Sequence, residues 1–279
     1  MAKDKSSFFD TSVPEPTTTE AVVETGQKEI AVMNYGDYAN AGFDNQSKDD
    51  VSLPFLGILQ TTSPQLDLLP NAKPGQIINT VTQDLYDGKI GIKFVPGTTQ
   101  HLYVEWVPRT AGGGFVGTHK PDSEVVTKAQ EKATAWNELK NGKNDLIETF
   151  YIFGVMLDDE DTPLGMAVLS FSSTKIKVYK RINTKLRTFQ LPLANGRKVV
   201  PPLFAHKLKI STVKEKSTKG DFYNFSIEPA NGDIKESLLP VDHPAFLAAK
   251  TCGELVAKGA VKADEGTNPT NKPDGEVPF

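Results

Sequence analysis

Cysteine is almost absent: Cys252 is the only one in 279 residues. That excludes a disulfide framework and any cysteine-based zinc site. No apolar run approaches the ~20 residues that a membrane helix needs. The opening MAKDKSSFFDTSVPEP also lacks the apolar h-region of a secretory signal. A soluble, reducing, cytoplasmic setting with no membrane partner is the expectation. His101, His119, His206 and His243 are far apart and show no ligand spacing. The glycine-rich run from Gly112 to Thr118 lacks the Gly-Lys-Ser/Thr ending of a phosphate loop. No nucleophile elbow and no internal repeat is present. Neither enzymatic chemistry nor a cofactor is expected.

Acid is missing from one long stretch, and this is the most informative scarcity. Between Lys175 and Lys219 the basic residues are Lys175, Lys177, Lys180, Arg181, Lys185, Arg187, Arg197, Lys198, Lys207, Lys209, Lys214, Lys216 and Lys219. The sole acid among them is Glu215, so these 45 residues carry +12 in a chain whose total is −4. Such asymmetry is a cue for an anionic partner.

What is present divides the chain into four parts. Residues 1–48 are rich in Ser, Thr, Pro and acids and read as a disordered arm. Residues 49–241 read as a β-rich core, with a hairpin around Asp87 and Gly88 and an alternating strand HLYVEWVPR. In that strand Leu102, Val104 and Trp106 share one face and Tyr103, Glu105 and Val107 the other. TAGGGFVGTHK reads as a loop, and Pro121 to Lys140 as a helix capped by Asp122 or Ser123. Further strands are expected at TFYIFGVML, LGMAVLSFS, KIKVYKRI, TFQLPL, LFAHKLKISTVK and DFYNFSIEP, separated by turns at DDEDTPLG, ANGRK and STKGD. Residues 242–258 form a helix with Asp242 at its cap, Pro244 in its first turn and Cys252 on its apolar face. Residues 259–279 are a polar, disordered tail. The fold class is mainly β with a few helices, a barrel or sandwich.

The basic stretch is β-patterned and threaded with Phe171, Tyr179, Phe189, Phe204, Phe222, Tyr223 and Phe225. A groove for single-stranded nucleic acid needs cations for phosphates and flat rings for bases. On a strand Lys175, Lys177 and Tyr179 would share one face, as would Lys207 with Lys209 and Lys214 with Lys216. Trp106, Arg109 and Phe115 are further candidate contacts. Asp158, Asp159, Glu160 and Asp161 could hold Mg²⁺, but four consecutive acids on one turn cannot all converge on an ion. A solvated hairpin turn is the favoured reading.

The chain ends in Asp274, Gly275, Glu276, Val277, Pro278 and Phe279 after a spacer of Gly, Asn, Pro and Lys. This resembles the terminal tip of bacterial and phage single-stranded DNA-binding proteins, in which acids lead into an apolar residue, a proline and a final phenylalanine. Gly275 and Val277 stand where the bacterial pattern has an acid and an isoleucine. The resemblance implies that the Phe279 ring fills an apolar pocket while its carboxylate meets a basic residue, with Asp274 and Glu276 steering the approach. It further implies an elaborated OB-fold-like barrel of the larger, phage-encoded type. Such a protein would coat single-stranded DNA in replication, recombination or repair in the host cytoplasm, and its tip would recruit replication or recombination enzymes. Homo-oligomerisation stays open. The alternatives are a phage interaction or virion protein with a polyanion-binding face, and less favoured, a metal-dependent nuclease using the acidic turn.

Overall fold

The computed structural model describes residues 52–135, 138–218 and 220–266. In chain order the elements are β1 (Leu56–Ile58), α1 (Gln65–Leu68), β2 (Ile77–Asn79), β3 (Leu85–Tyr86), β4 (Ile92–Val107), β5 (Gly114–His119), α2 (Glu124–Lys132), β6 (Lys140–Asn141), β7 (Asn144–Leu157), β8 (Pro163–Ser172), α3 (Ile176–Thr188), β9 (Leu191–Pro192), β10 (Lys198–Val199), β11 (Leu208–Ser217), β12 (Gly220–Pro229) and α4 (Pro244–Ala257). The described residues are mainly β, as the alternating apolar patterns require, and every paired strand is antiparallel.

β4 and β7 are the spine. They pair from Lys93 opposite Leu157 to Trp106 opposite Asp145. The far edge of β4 is shared: β11 takes residues 92–94 and β5 takes residues 103–107. β8 and β6 line the far edge of β7, and β12 closes a hairpin with β11. The seven-stranded ladder does not return on itself, so the expected OB-fold-like barrel is not closed. Between β8 and β12 the seam is filled by other means. Phe55 makes a single parallel bridge to Val168. The Gln60 carboxamide accepts from the Tyr223 N–H and donates to its carbonyl, both at 2.8 Å. Farther along, Asn224 of β12 donates to the Thr174 carbonyl just past β8. β1 spans three residues between Pro54 and Pro64, too short to extend a ladder along both edges.

One face of this rolled sheet buries Phe94, Phe150, Leu169, Phe171, Ile210 and Phe225 against α3. The other buries Val95, Tyr151, Phe153 and Val155 against Ala245, Ala249 and Cys252 of α4. The helix backbone meets the strand at Gly97, where an added Cβ would lie 2.3 Å from the Ala249 carbonyl oxygen. Burial pushes the Cys252 thiol up to about 11, so it is a core residue and a poor nucleophile. α4 is capped by His243, whose Nδ1 accepts from the Ala245 N–H, and not by Asp242.

Several local expectations are corrected. KIKVYKRI is helical: Ile176, Tyr179, Ile182 and Leu186 recur at three- and four-residue spacing and all face the core. Period-two alternation across so short a stretch imitated a strand. TFQLPL keeps only the two residues of β9, paired with β10 around the expected ANGRK turn. LFAHKLKISTVK becomes a strand only at Leu208, because Leu203–Ala205 form a 3-10 turn. The helix after Pro121 is shorter, Glu124–Lys132, with Ser123 as its cap. Asp87 and Gly88 do not turn a hairpin, since β3 pairs back onto β2. The glycine run is only partly loop. Gly114–His119 is a strand, held where His119 Nε2 meets the buried Glu105 carboxylate at 2.6 Å. The arm, the tail beyond Gly266, Trp136 and Lys219 lie outside the described residues.

Candidate nucleic-acid interface

α3 redistributes the basic stretch. At 100° per residue its inward arc holds Val178, Tyr179, Ile182 and Leu186. Lys177, Lys180, Arg181, Thr184, Lys185, Arg187 and Thr188 are all exposed and share the outward arc. That face therefore consists of five cations and two threonines, without an acid. Lys185 and Arg187 also sit in the last turn, where they complement the helix dipole. An aromatic column fixes the helix from beneath: His101 stacks on Phe150 at 4.1 Å between ring centroids, and Phe150 on Tyr179 at 4.6 Å. Lys180 extends over the Phe150 ring, 5.7 Å from its centroid.

Other expected contacts fall into separate groups. Arg197 and Lys198 are exposed on the small β9–β10 hairpin that follows α3. Lys214 and Lys216 are exposed near the free end of the β11–β12 hairpin, Lys214 paired with Asp221 at 2.8 Å. The first turn of α3 is joined to that hairpin through Lys177 and Glu215, 2.6 Å apart. Lys209 stands apart, exposed, with Lys93 and Glu228 as its cross-strand neighbours. It lies five positions before Lys214, roughly 17 Å along an extended strand. Arg109 precedes β5 and Phe115 lies within it, and β5 pairs with the opposite end of β4 from β11. They form no stripe with the β11 lysines. Phe115 is 39% exposed and lines a groove of about 670 Å³ with Leu53, Met166 and the segment after α4.

Four expected contacts are corrected by burial or pairing. Tyr179 and Trp106 are core residues at 6% and 4% exposure, so neither presents a ring face to a base. Phe171, Phe222 and Phe225 are buried as well, which leaves half-buried Phe189, Phe204 and Tyr223 as the remaining rings of the stretch. Lys175 is half-buried beside the Phe225 ring, and burial pulls its ammonium down to about 8, with Glu265 opposing. Lys207 is buried and held by Asp161, which Lys93 also contacts at 2.8 Å. Position in a basic run gave no sign of which cations the fold would use internally.

The same pairing settles what the acidic turn does. Asp158 Oδ1 accepts from the Glu160 and Thr162 N–H groups, while Asp161 turns away to the two lysines. Among the described residues no group of three His, Cys, Asp or Glu side chains could hold a metal ion. The nuclease alternative gains no support from this geometry. Burial opposes the Asp161 charge, but Lys207 and Lys93 outweigh it and hold the carboxyl below the usual carboxylate range. A depressed carboxyl stabilises the fold above its unfolded pKa, and that contribution is lost as pH falls through the folded value. The melting temperature is therefore expected to drop on acidification below about pH 4, more steeply in the native chain than in Asp161→Asn. Equal acid limbs would show that the pairing contributes nothing.

No helix among the described residues is long and apolar enough to cross a membrane. No curated protein and no solved structure matches the chain. A family model described as Pam3 phage gp34-like protein matches residues 23–262, and the chain belongs to that family.

Proposed function

We propose that this member of the Pam3 phage gp34-like family is a non-catalytic, sequence-independent single-stranded DNA-binding protein acting in phage DNA replication, recombination or repair in the host cytoplasm. The observation that carries the reading is the outward face of α3, where Lys177, Lys180, Arg181, Lys185 and Arg187 stand exposed without an acid on their own helix. Cations repeated along a rigid helix neutralise successive phosphates, and such contacts are blind to sequence. The burial of Tyr179, Phe171 and Phe225 shifts the mechanism away from base stacking towards the backbone. Arg197 and Lys198 on the following hairpin extend the cationic surface along the chain.

In this reading the segment from Asp274 to Phe279 recruits partner enzymes to the coated strand. The Phe279 ring is its apolar anchor, and Asp274 and Glu276 steer it to a basic rim. Phe279→Ala is expected to leave DNA titrations unchanged while abolishing capture of replication or recombination enzymes from host lysate. Recovery of the same enzymes by the variant would remove that role from the segment.

Lysine acetylation with and without oligo-dT tests the interface itself. Lys180, Lys185 and Lys198 should be modified in the free protein and protected in the complex. Lys207, buried against Asp161, should be unreactive in both. Unchanged modification of Lys180 and Lys185 under saturating DNA would remove α3 from the interface.

A further inference from the structure

We propose that Glu215 is a built-in competitor for the DNA backbone: it holds Lys177 in the free protein and yields it to a phosphate on binding. The inference rests on the nucleic-acid reading of α3 and concerns the regulation of that same face. Glu215 is the sole acid in 45 residues that otherwise hold thirteen cations. Chance placement on such a surface would leave it solvated, yet it is specifically held. One carboxylate oxygen lies 2.6 Å from Lys177 Nζ. The other accepts from Asn224 Nδ2 at 3.3 Å, and Asn224 is fully buried and also donates to the Thr174 carbonyl.

The two partners differ in freedom. The Glu215 side chain is 25% exposed and anchored through Asn224, whereas Lys177 is 62% exposed. The lysine can swing outward while the carboxylate stays. The helix gives a reason for the contact, because the first turn of α3 contains no acid although a helix start favours negative charge. Glu215 supplies that charge from the neighbouring strand. A phosphate reaching this turn offers the same charge, so the two anions compete for one ammonium. Exchanging carboxylate for phosphate releases no net counterion, since the freed Glu215 draws in a cation as the phosphate gives one up. Lys177 therefore adds nothing to the salt dependence while Glu215 is present.

Glu215→Gln keeps one oxygen acceptor, for Asn224, and removes both the second oxygen and the charge that hold Lys177. The expected result is a salt slope steeper by about 0.7, one further phosphate neutralised. Affinity for oligo-dT should rise roughly threefold at low salt, the scale of one partly exposed charge pair. Both gains should vanish when Lys177→Gln is added, because the two side chains form one coupled pair. Lys177→Gln alone removes a phosphate contact and should lower affinity, with a slope close to the native one because the exchange with Glu215 is lost along with the contact. A slope flattened by about 0.7 in Lys177→Gln, or an unchanged or weakened titration in Glu215→Gln with an unaltered melting temperature, would overturn the competitor role. Those results leave DNA binding itself intact. Absence of salt-dependent binding in the native chain and in both variants would instead remove the nucleic-acid reading on which the inference rests.

Discussion

Reversing Lys180 and Lys185 to Glu together is expected to weaken oligo-dT binding roughly hundredfold at low salt. The estimate counts two lost phosphate contacts and two new repulsions, each about 0.7 kcal/mol at an exposed site. The salt slope should flatten by about 1.4 for the two contacts. All DNA sequences should be affected alike, because phosphate contacts carry no base information. Both residues are exposed on the outward arc of α3, so the melting temperature should hardly move. Lys207→Gln is the matched control, because that lysine belongs to the same basic stretch but is buried against Asp161. Its expected effect is the reverse, lower thermal stability with the salt slope unchanged. Equal loss of binding per unit of charge removed in the two variants would mean that net charge alone, and not the α3 face, attracts the DNA.

Tyr179→Ala is expected to destabilise the fold by about 3–5 kcal/mol, the cost of removing a large aromatic ring from a packed core. The ring lies between Phe150 and Phe171, at 4.6 and 5.7 Å between centroids, and holds α3 onto the sheet. Tyr179→Phe keeps the ring and should leave both stability and oligo-dT affinity close to native. A base-stacking role would give the opposite pattern, with Tyr179→Ala folding normally and losing affinity. Chemical denaturation and DNA titration of the two variants separate these outcomes.

The difference between the two tyrosine roles marks where the sequence stopped being informative. The long strands were legible because alternation persists: Leu102, Val104 and Trp106 do face one core, and Tyr103 and Glu105 the other. The terminal helix was legible from Pro244 and Gly259, whose backbone preferences are local. α3 was not, because Lys175, Lys177 and Tyr179 alternate with Ile176 and Val178, and so short a window fits period two as well as 3.6. Only Ile182 and Leu186 break the tie. The unclosed seam depends on Gln60 reaching Tyr223 across 163 residues, which no local pattern encodes. The candidate site suffered most from this limit. Composition located the basic stretch, but which cations face solvent follows from a helix read as a strand and from Asp161, a distant acid that takes Lys207 inward.

The central claim is that an exposed cationic face binds single-stranded DNA through its phosphates. Its most direct test is a titration of the native chain against single- and double-stranded oligonucleotides of one sequence, between about 50 and 200 mM salt. Lys180, Arg181, Lys185, Arg187, Arg197 and Lys198 are exposed without an acidic partner among the described residues. With about 0.7 per phosphate neutralised, these six predict a log–log slope near −4 on the single strand, and a role on single strands requires tighter binding there than to duplex. A slope near zero, or tighter binding to the duplex, would contradict the account.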